Sequence, residues 1–161
     1  MPRYCIVSWP LGDLILLSDA THQALAALWI RGEKHSSPIG ADWHLDEKIL
    51  PAVRTQLAEY FAGTRTDFDV PLAPVGTPFQ MQAWQALREI PYGTTQSYAQ
   101  QATRIGNPRA CRAIGLANGR NPISIIVPCH RVIGANGALT GYGGGLPAKK
   151  WLLHHESQHR Q

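Results

Sequence analysis

ISIIVPCHRV, residues 123–132, joins an apolar run to a cysteine that is followed directly by a histidine. The run over 123–127 predicts a buried strand, which ends at Pro128, just before Cys129 and His130. Glycines crowd the loop that follows, at Gly134, Gly137, Gly141, Gly143, Gly144 and Gly145. A thiol at the end of a buried strand, beside an imidazole and under a glycine-rich loop, is placed for nucleophilic chemistry.

The length and composition of the chain limit what this motif can mean. With 161 residues and 44% apolar content, the chain can bury one core or two small ones. No apolar run is long enough to span a bilayer and the N-terminus has no signal-like pattern, so we expect a soluble, cytoplasmic protein. Cys5, Cys111 and Cys129 are odd in number and widely spaced, which fits reduced thiols better than disulfides or zinc ligands. We expect Cys5 and Cys111 to be inert.

Charge divides the chain into two halves. Residues 1–77 carry six Lys or Arg against nine Asp or Glu, whereas residues 78–161 carry nine against two. The net charge is therefore −3 in the first half and +7 in the second, so only the second half is suited to binding a polyanion. A basic surface that binds no partner explains the count equally well. The break falls in a cluster of Pro71, Pro74, Gly76 and Pro78, which predicts two domains, 1–77 and 78–161.

The first half has the pattern of a small α/β unit. Apolar stretches over 4–9 and 14–17, separated by residues 10–13 (PLGD), predict a hairpin, and residues 24–30 predict a third strand. Apolar residues recur every three or four positions over 46–61, which predicts a helix closed by Gly63. We interpret this helix as core packing and find no chemistry in this half.

The second half has the pattern of a helix-turn-helix. A helix with an apolar face from Phe79 to Ile90 ends at residues 91–93 (PYG). Thr94 or Thr95 is then expected to cap a short helix that runs to about residue 103, before a turn at Gly106. A second helix is predicted from Asn107 as N-cap and Pro108 as its first residue, to a C-terminus at Asn118-Gly119. Purely structural helix pairs share this pattern, so DNA binding does not follow from it alone.

Small residues dominate this second helix, whose only charges are Arg109 and Arg112. A helix that reads bases in the major groove normally presents longer polar side chains. Small side chains instead let the backbone approach the minor groove closely, and they equally suit tight packing against a neighbouring helix. The small residues concerned are Ala110, Cys111, Ala113, Gly115, Ala117 and the following Gly119.

Taken together, these motifs resemble the O6-alkylguanine-DNA alkyltransferase family. The resemblance covers nearly all of residues 78–161 and is looser before that. It implies an α/β N-terminal domain, with a ribonuclease-H-like small sheet plus helix, followed by a mainly α winged-helix-like domain with the helix-turn-helix. It is carried, in order, by Phe79-Gln80 with Trp84, Ile90-Pro91-Tyr92-Gly93, Ser97-Tyr98, Gly106-Asn107-Pro108, Ala113-Ile114-Gly115, Asn121-Pro122, residues 128–133 (PCHRVI), residues 141–145 (GYGGG) and Lys149 to Glu156.

The resemblance also implies roles for single residues. Cys129 would be the alkyl acceptor, His130 would activate it through a water molecule, and Glu156 would orient the imidazole. Arg112 would replace a flipped nucleotide in the base stack, and Tyr98 would crowd the phosphate 3′ to it. Asn121 would brace the recognition helix against the active-site strand. The remaining candidates are Thr94, Thr95, Ala110, Cys111, Ala113 and Gly115 for DNA contact, and Tyr142, Gly143 and Gly144, with Asn121, for the substrate pocket.

Elementary chemistry agrees with this assignment. Transfer of an alkyl group from oxygen to sulfur needs a thiolate, and a free thiol with a pKa of about 8.5 is mostly protonated at neutral pH. Successive residues of a strand point to opposite faces, which favours a water relay between Cys129 and His130 over direct contact. Arg131 is expected to pair with a carboxylate. We expect His154, His155 and His159 to lie on the surface, with no metal site and no cofactor.

The function that follows is suicide repair of DNA. We expect the protein to flip O6-alkylguanine out of double-stranded DNA through the minor groove and to move the alkyl group onto Cys129 in a single turnover. The expected protein is a monomer; O4-alkylthymine as a second substrate, and cooperative binding on DNA, stay open. The alternatives are a non-catalytic protein that recognises alkyl lesions, against which Cys129 argues, and a cysteine hydrolase of another fold, which would not explain the helix-turn-helix.

Overall fold

A computed structural model describes residues 2–33 and 39–160 of the chain. Within those residues the first half forms a sheet in the order β3-β2-β1-β4, with one helix, and the second half forms four helices and a two-stranded parallel pair, β5-β6. The strands are β1 Arg3–Trp9, β2 Gly12–Ser18, β3 Leu25–Ile30, β4 His44–Leu45, β5 Gln96–Ser97 and β6 Val132–Ile133. The helices are α1 Pro51–Phe61, α2 Pro78–Arg88, α3 Tyr98–Arg104, α4 Cys111–Gly119 and α5 Leu146–Gln158.

The predicted hairpin and third strand are confirmed. Strands β1 and β2 pair antiparallel with Trp9 opposite Gly12, so the turn between them has two residues, Pro10 and Leu11. Gly12 has a φ of 134°, a conformation that glycine adopts without steric cost. Strand β3 pairs antiparallel with β2, and the short β4 pairs parallel with β1.

The helix predicted over 46–61 begins later, at Pro51. Asp46 instead closes a turn: its side chain accepts a hydrogen bond from the Lys48 amide at 3.0 Å, and its carbonyl accepts one from the Ile49 amide at 3.3 Å. Local bonds of this kind compete with helix formation, so the helix starts where proline already has helical φ. Its predicted end is confirmed, because Gly63 has a φ of 82° and donates to the Tyr60 carbonyl.

Both predicted starts in the helix-turn-helix are wrong. Ser97, and neither Thr94 nor Thr95, caps α3, because it forms a reciprocal capping box with Gln100. The Thr94 hydroxyl donates instead to the Pro91 carbonyl at 2.7 Å.

Helix α4 begins at Cys111 with Ala110 as its N-cap, three residues later than the predicted start at Asn107-Pro108. Residues 107–110 form a separate turn, in which the Ala110 amide donates to the Asn107 carbonyl at 3.0 Å. Asn107 and Pro108 therefore belong to this turn and not to the helix.

Two buried polar contacts fix the position of α4. Gln101 in α3 and Asn118 in α4 exchange hydrogen bonds of 3.0 and 2.8 Å between their side-chain amides. The indole N–H of Trp84 in α2 donates to the Ala117 carbonyl at 2.8 Å. The recognition helix is therefore held by specific bonds to two neighbouring helices as well as by apolar packing.

The strand predicted over 123–127 is wrong. Only an isolated bridge between Ile123 and Leu28 of β3 is formed, and the chain then turns twice. Ile125 has a φ of 70° with a 2.8 Å bond from the Ile126 amide to the Ser124 carbonyl, which is a γ-turn. Positive φ is strained for a β-branched residue, and such strain persists only where the surrounding structure enforces it.

The two halves are bonded to each other at this turn. The Leu28 amide in β3 donates to the Pro122 carbonyl at 2.9 Å, and the Ser124 amide donates back to the Leu28 carbonyl at 2.8 Å. The first half therefore supports the backbone from which the cysteine projects. No helix in the described ranges has the length and apolar character to cross a membrane.

Candidate active site

Cys129 follows a tight turn and not a strand. Pro128 has φ −83° and ψ 66°, and the Cys129 amide donates to the Val127 carbonyl at 2.8 Å, which is an inverse γ-turn. Residues Cys129–Arg131 then form one turn of 3₁₀ helix. Cys129 and His130 therefore do not lie on opposite faces of a strand, as was expected.

Asn121 organises this turn and contacts the thiol. Its side-chain N–H₂ group donates to the Val127 carbonyl at 2.8 Å and to Cys129 Sγ at 3.3 Å, while its oxygen accepts from the Ile123 amide at 3.0 Å. Asn121 was expected to brace the recognition helix against a strand, whereas its side chain bonds to the active-site turn and to the candidate nucleophile. Burial raises the pKa of the Cys129 thiol to about 11, against the opposing effect of the Asn121 hydrogen bond. The resting protein therefore holds a protonated thiol at neutral pH.

Glu156 in α5 is the centre of a buried network. Its carboxylate accepts hydrogen bonds from His130 Nε2 at 2.7 Å, from Arg131 Nε and Nη2 at 2.8 and 3.0 Å, and from the Tyr60 hydroxyl at 2.7 Å. The predicted pairing of Arg131 with a carboxylate is confirmed, and Arg131 also donates to the Ile90 carbonyl at 2.7 Å. Tyr60 belongs to α1, so the network crosses between the two halves.

The electrostatics of this network set the state of the imidazole. Burial disfavours ionisation of Glu156, but its bonds to His130 and Arg131 outweigh that effect and hold the pKa of the carboxyl far below its usual range. Burial lowers the pKa of His130, although the hydrogen bond to Glu156 opposes the shift, so the ring is neutral at pH 7. An ionised carboxylate can only accept, so Nε2 carries the ring proton. Nδ1, buried and without a hydrogen-bond partner in the described ranges, is then free to accept one.

Cys129 opens onto a pocket of about 320 Å³ that lies between the two halves. Three of the predicted pocket residues line it: Asn121, Tyr142 and Gly143. Gly144 does not, because it packs so closely on Ile30 of β3 that a side chain there would collide with it. Burial raises the pKa of Tyr142 well above its usual range, so its phenol is a neutral group at physiological pH.

The first half also contributes to the pocket, contrary to the expectation that it carries no chemistry. Its lining residues are Leu17, Ala27, Trp29, Glu33 and Trp43. The rings of Trp29 and Trp43 meet edge to face, with centroids 6.0 Å apart. No local pattern around these residues indicates a site. The bonds between β3 and residues 122–124 hold the sheet beside Cys129.

The exposed face of α4 carries four of the eight residues predicted to contact DNA. Arg112 and Ala113 are exposed, and Cys111 and Gly115 are partly exposed. Ala110 is a correction, because it is 9% exposed and packs in the core. Leu116, which the sequence did not single out, is 72% exposed on the same helix.

Tyr98 stands next to this face, beside the active-site loop. Its hydroxyl and that of Thr140 are 2.7 Å apart, and its ring carbon Cε1 lies 4.0 Å from the position of a side chain on Gly115. Thr95 is exposed and Thr94 is partly buried. Tyr98 thus lies between the recognition helix and the loop that carries Tyr142.

The C-terminal histidines differ from the expectation in one case. His154 is exposed, but His155 is buried, stacks on Trp151 at a centroid distance of 4.7 Å and shares a 2.7 Å hydrogen bond with the Tyr60 carbonyl. His159 is partly buried and bonds to the His155 carbonyl at 2.8 Å. His155 faces inward because it lies one helical turn after Trp151 on the buried side of α5. The described residues include no group of three or more His, Cys, Asp or Glu that could hold a metal ion.

Comparison with protein families matches both halves of the chain. Residues 3–74 match the ribonuclease-like domain of 6-O-methylguanine DNA methyltransferase, and residues 78–158 match the DNA-binding domain of the same family. The predicted fold class, an α/β domain followed by a mainly helical DNA-binding domain, is confirmed by these matches.

Individual relatives agree with the family models over nearly the whole chain. A methylated-DNA--protein-cysteine methyltransferase of Mycolicibacterium paratuberculosis is 52% identical over 99% of this chain and 94% of its own length. One from Methanosarcina acetivorans is 49% identical over 93% of this chain and 95% of its own. The crystal structure of Mycobacterium tuberculosis OGT in complex with DNA superposes with a TM-score of 0.90 at 46% identity, covering 98% and 94% of the two chains. The chain therefore belongs to the 6-O-methylguanine DNA methyltransferase family, whose members are methylated-DNA--protein-cysteine methyltransferases.

Proposed function

We propose that this protein repairs O6-alkylguanine in double-stranded DNA by transferring the alkyl group irreversibly to its own Cys129. One observation carries the proposal: Cys129 lines the pocket between the two halves and has a hydrogen-bond donor, Asn121, aimed at its sulfur. Cys5 is buried in the core, where burial raises the pKa of its thiol to about 11. Cys111 lies on the α4 face. Membership of the family supports the reaction class, and the DNA complex of the similar tuberculosis protein supports DNA as the partner.

The DNA binds at the exposed face of α4. The target carbon is attached to a base that is stacked within the duplex, so the nucleotide has to rotate out before the sulfur can reach it. Arg112 is exposed on the face of α4 that also carries Cys111, Ala113 and Gly115, and it fills the gap left in the stack. Unstacking costs a few kcal/mol, which this side chain partly offsets. Tyr98 crowds the adjacent phosphate, and Thr94, Thr95, Ala113 and Gly115 line the approach to the minor groove.

Proton transfer prepares the nucleophile. Glu156 holds Nε2 of His130 in its protonated form, which leaves Nδ1 as the acceptor of the thiol proton through a bridging water molecule. Asn121 stabilises the thiolate by its bond to Sγ. The sulfur then attacks the alkyl carbon, and the O6–carbon bond breaks. Tyr142 donates a hydrogen bond to the guanine from the pocket wall.

The reaction is expected to be single-use. The thioether formed at Cys129 has no leaving group that water displaces readily, so one protein molecule removes one alkyl group. The test is a titration of purified protein with a duplex that contains one O6-methylguanine, followed by counting the repaired guanines. We expect repair to stop at one lesion per protein molecule at every excess of DNA. Continued repair beyond that ratio would overturn the suicide mechanism.

The cysteine also separates this function from non-catalytic lesion recognition. Cys129→Ser keeps the shape of the pocket but replaces the thiol by a poor nucleophile. We expect this variant to bind the methylated duplex and to leave its methyl group in place. Transfer by the serine variant would contradict the role of Cys129, and binding without transfer by the wild-type protein would favour the recognition function.

A further inference from the structure

Alkyl transfer requires a proton donor for the departing guanine as well as a nucleophile. When the O6–carbon bond breaks, its electron pair passes to the purine, and guanine in its stable form then carries a proton on N1. A departing base that receives this proton as the bond breaks is a better leaving group, and a positioned acid supplies it most effectively when its pKa lies near the working pH. The residues that line the pocket can be compared on this criterion.

Among the lining residues that the structure describes, four have titratable or charged side chains: Cys129, Tyr142, Arg120 and Glu33. Cys129 is the nucleophile. The phenol of Tyr142, with its raised pKa, gives up a proton only reluctantly. The guanidinium group of Arg120 does not release a proton in proteins. Glu33 is the remaining group.

The position of Glu33 fits a role in the reaction. It follows β3 directly, its amide donates to the Ile30 carbonyl at 2.9 Å, and its side chain is partly buried in the pocket wall. One carboxyl oxygen, Oε2, lies 3.2 Å from the position that a Cβ on Gly143 would occupy, so it rests against the bare backbone of the active-site loop. It lines the same pocket as Cys129 and Tyr142, and its charge raises the pKa of both groups.

We propose that Glu33 is the general acid of the transfer and protonates guanine as the alkyl group leaves. The inference rests on the proposed function. Cys129, as thiolate, forms the new S–C bond, the O6–carbon bond breaks, and the proton of the Glu33 carboxyl ends on N1 of guanine. The products are an S-alkyl cysteine, guanine and a Glu33 carboxylate, which takes a proton back from solvent.

The protonation state of Glu33 suits this role. Burial raises the pKa of its carboxyl to about 7, against the opposing effect of a hydrogen bond with Ser124. About half of the molecules therefore carry the acid form at neutral pH. A protonated carboxyl also matches the edge of O6-alkylguanine, in which N1 accepts a hydrogen bond and the amino group donates one. Ionised Glu33 would disfavour the Cys129 thiolate by charge repulsion, so the acid form serves both partners.

The pH profile of transfer gives a test specific to this role. The His130 ring, whose pKa is lowered by burial, passes the thiol proton on to solvent, so the thiolate fraction grows tenfold per pH unit up to the Cys129 pKa of about 11. Above the Glu33 pKa of about 7, each tenfold gain in thiolate is therefore matched by a tenfold loss of the acid. Single-turnover transfer from an O6-methylguanine duplex should therefore stay level between about pH 7.5 and 9 in the wild-type protein. In Glu33→Gln the rate should be about 100-fold lower at pH 7.5 and should rise about tenfold per pH unit.

Three controls separate acid catalysis from a structural effect. Glu33→Asp should restore a level profile, and Glu47→Gln, at an exposed carboxylate outside the pocket, should match the wild-type protein. Iodoacetamide, whose iodide leaves without a proton, should alkylate Cys129 in Glu33→Gln at least as fast as in the wild-type protein. A wild-type rate that rises tenfold per pH unit, or a Glu33→Gln rate equal to it, would overturn the inference while leaving the proposed function intact. A wild-type protein that transfers nothing would overturn the proposed function and this inference together.

Discussion

Asn121 couples the shape of the active-site turn to the state of the thiol. One side-chain N–H₂ group serves both the Val127 carbonyl and Cys129 Sγ, so the residue that fixes the turn also stabilises negative charge on sulfur. The residue that the family resemblance implies as a brace therefore lies in contact with the nucleophile. A single change there should alter reactivity more than fold.

Asn121→Asp tests that coupling at nearly constant size. It replaces the donor by a carboxylate, which repels the thiolate, so the apparent pKa of Cys129 should rise by about one unit or more. The measurement is the rate of iodoacetamide modification across pH in a background with Cys5 and Cys111 changed to Ser. Asn136→Asp, on the exposed loop, is the matched control. An unchanged titration curve in Asn121→Asp would remove this bond from the activation of Cys129.

Residues that the family pattern covers could be placed in the candidate site from the sequence, whereas residues outside that pattern could not. Cys129, His130 and Asn121 lie within ten residues of one another, and Glu156 lies in a helix that the family pattern covers. Glu33 and Trp29 are remote in sequence and enter the pocket through the bonds between β3 and residues 122–124. No periodicity in their own segment encodes that contact.

At the scale of elements, strands β1 to β3 and helices α1 to α4 were predicted in kind but not always at their ends. The starts of α1, α3 and α4 shifted because short polar side chains and prolines also form turns, and only the full set of local bonds decides between the two uses. The apolar run over 123–127 was misassigned because burial does not distinguish a strand from a buried turn. The Asn121 side chain and Leu28 satisfy its backbone instead.

The exposed face of α4 leads to a prediction about Arg112. Arg112→Ala should slow repair of a well-paired duplex lesion at least tenfold more than it slows reaction with free O6-methylguanine, because only the duplex needs its stack filled. Arg88→Ala removes the same charge from the exposed end of α2 and should spare both reactions. The comparison uses single-turnover rates with the two substrates. Equal losses on both substrates in Arg112→Ala would assign the residue to folding or chemistry.

At the scale of the whole molecule, the Glu156 network joins the two halves and links stability to pH. The folded-state pKa of Glu156 lies below its unfolded value of about 4.3, so its contribution is complete above that pH and is lost as the pH falls further. His130 acts in the same direction from about pH 6.5 downward, since its folded-state pKa is also lowered. Glu33 acts in the opposite direction, because its raised pKa makes its contribution fall as the pH rises towards 7.

Glu156→Gln should therefore lower the free energy of unfolding at pH 7 by about 3–5 kcal/mol, because it leaves Arg131 buried beside a neutral amide. The loss should shrink below about pH 4, because the carboxyl of the unfolded wild-type protein takes up a proton there while the folded carboxylate stays ionised. Glu89→Gln, which removes an exposed ion pair with Arg104, should cost less than about 1 kcal/mol. Denaturant unfolding at several pH values measures all three proteins. A pH-independent loss in Glu156→Gln would contradict the ionised state of this carboxyl.

The identity of the residue that receives the alkyl group is the most direct test of the whole account. The wild-type protein is incubated with one equivalent of a duplex that contains O6-methylguanine, digested with a protease and analysed by mass spectrometry. We predict one added methyl group, on the sulfur of Cys129, with Cys5 and Cys111 unmodified and guanine restored in the DNA. A methyl group on another residue, or restored guanine with an unmodified Cys129, would contradict the account.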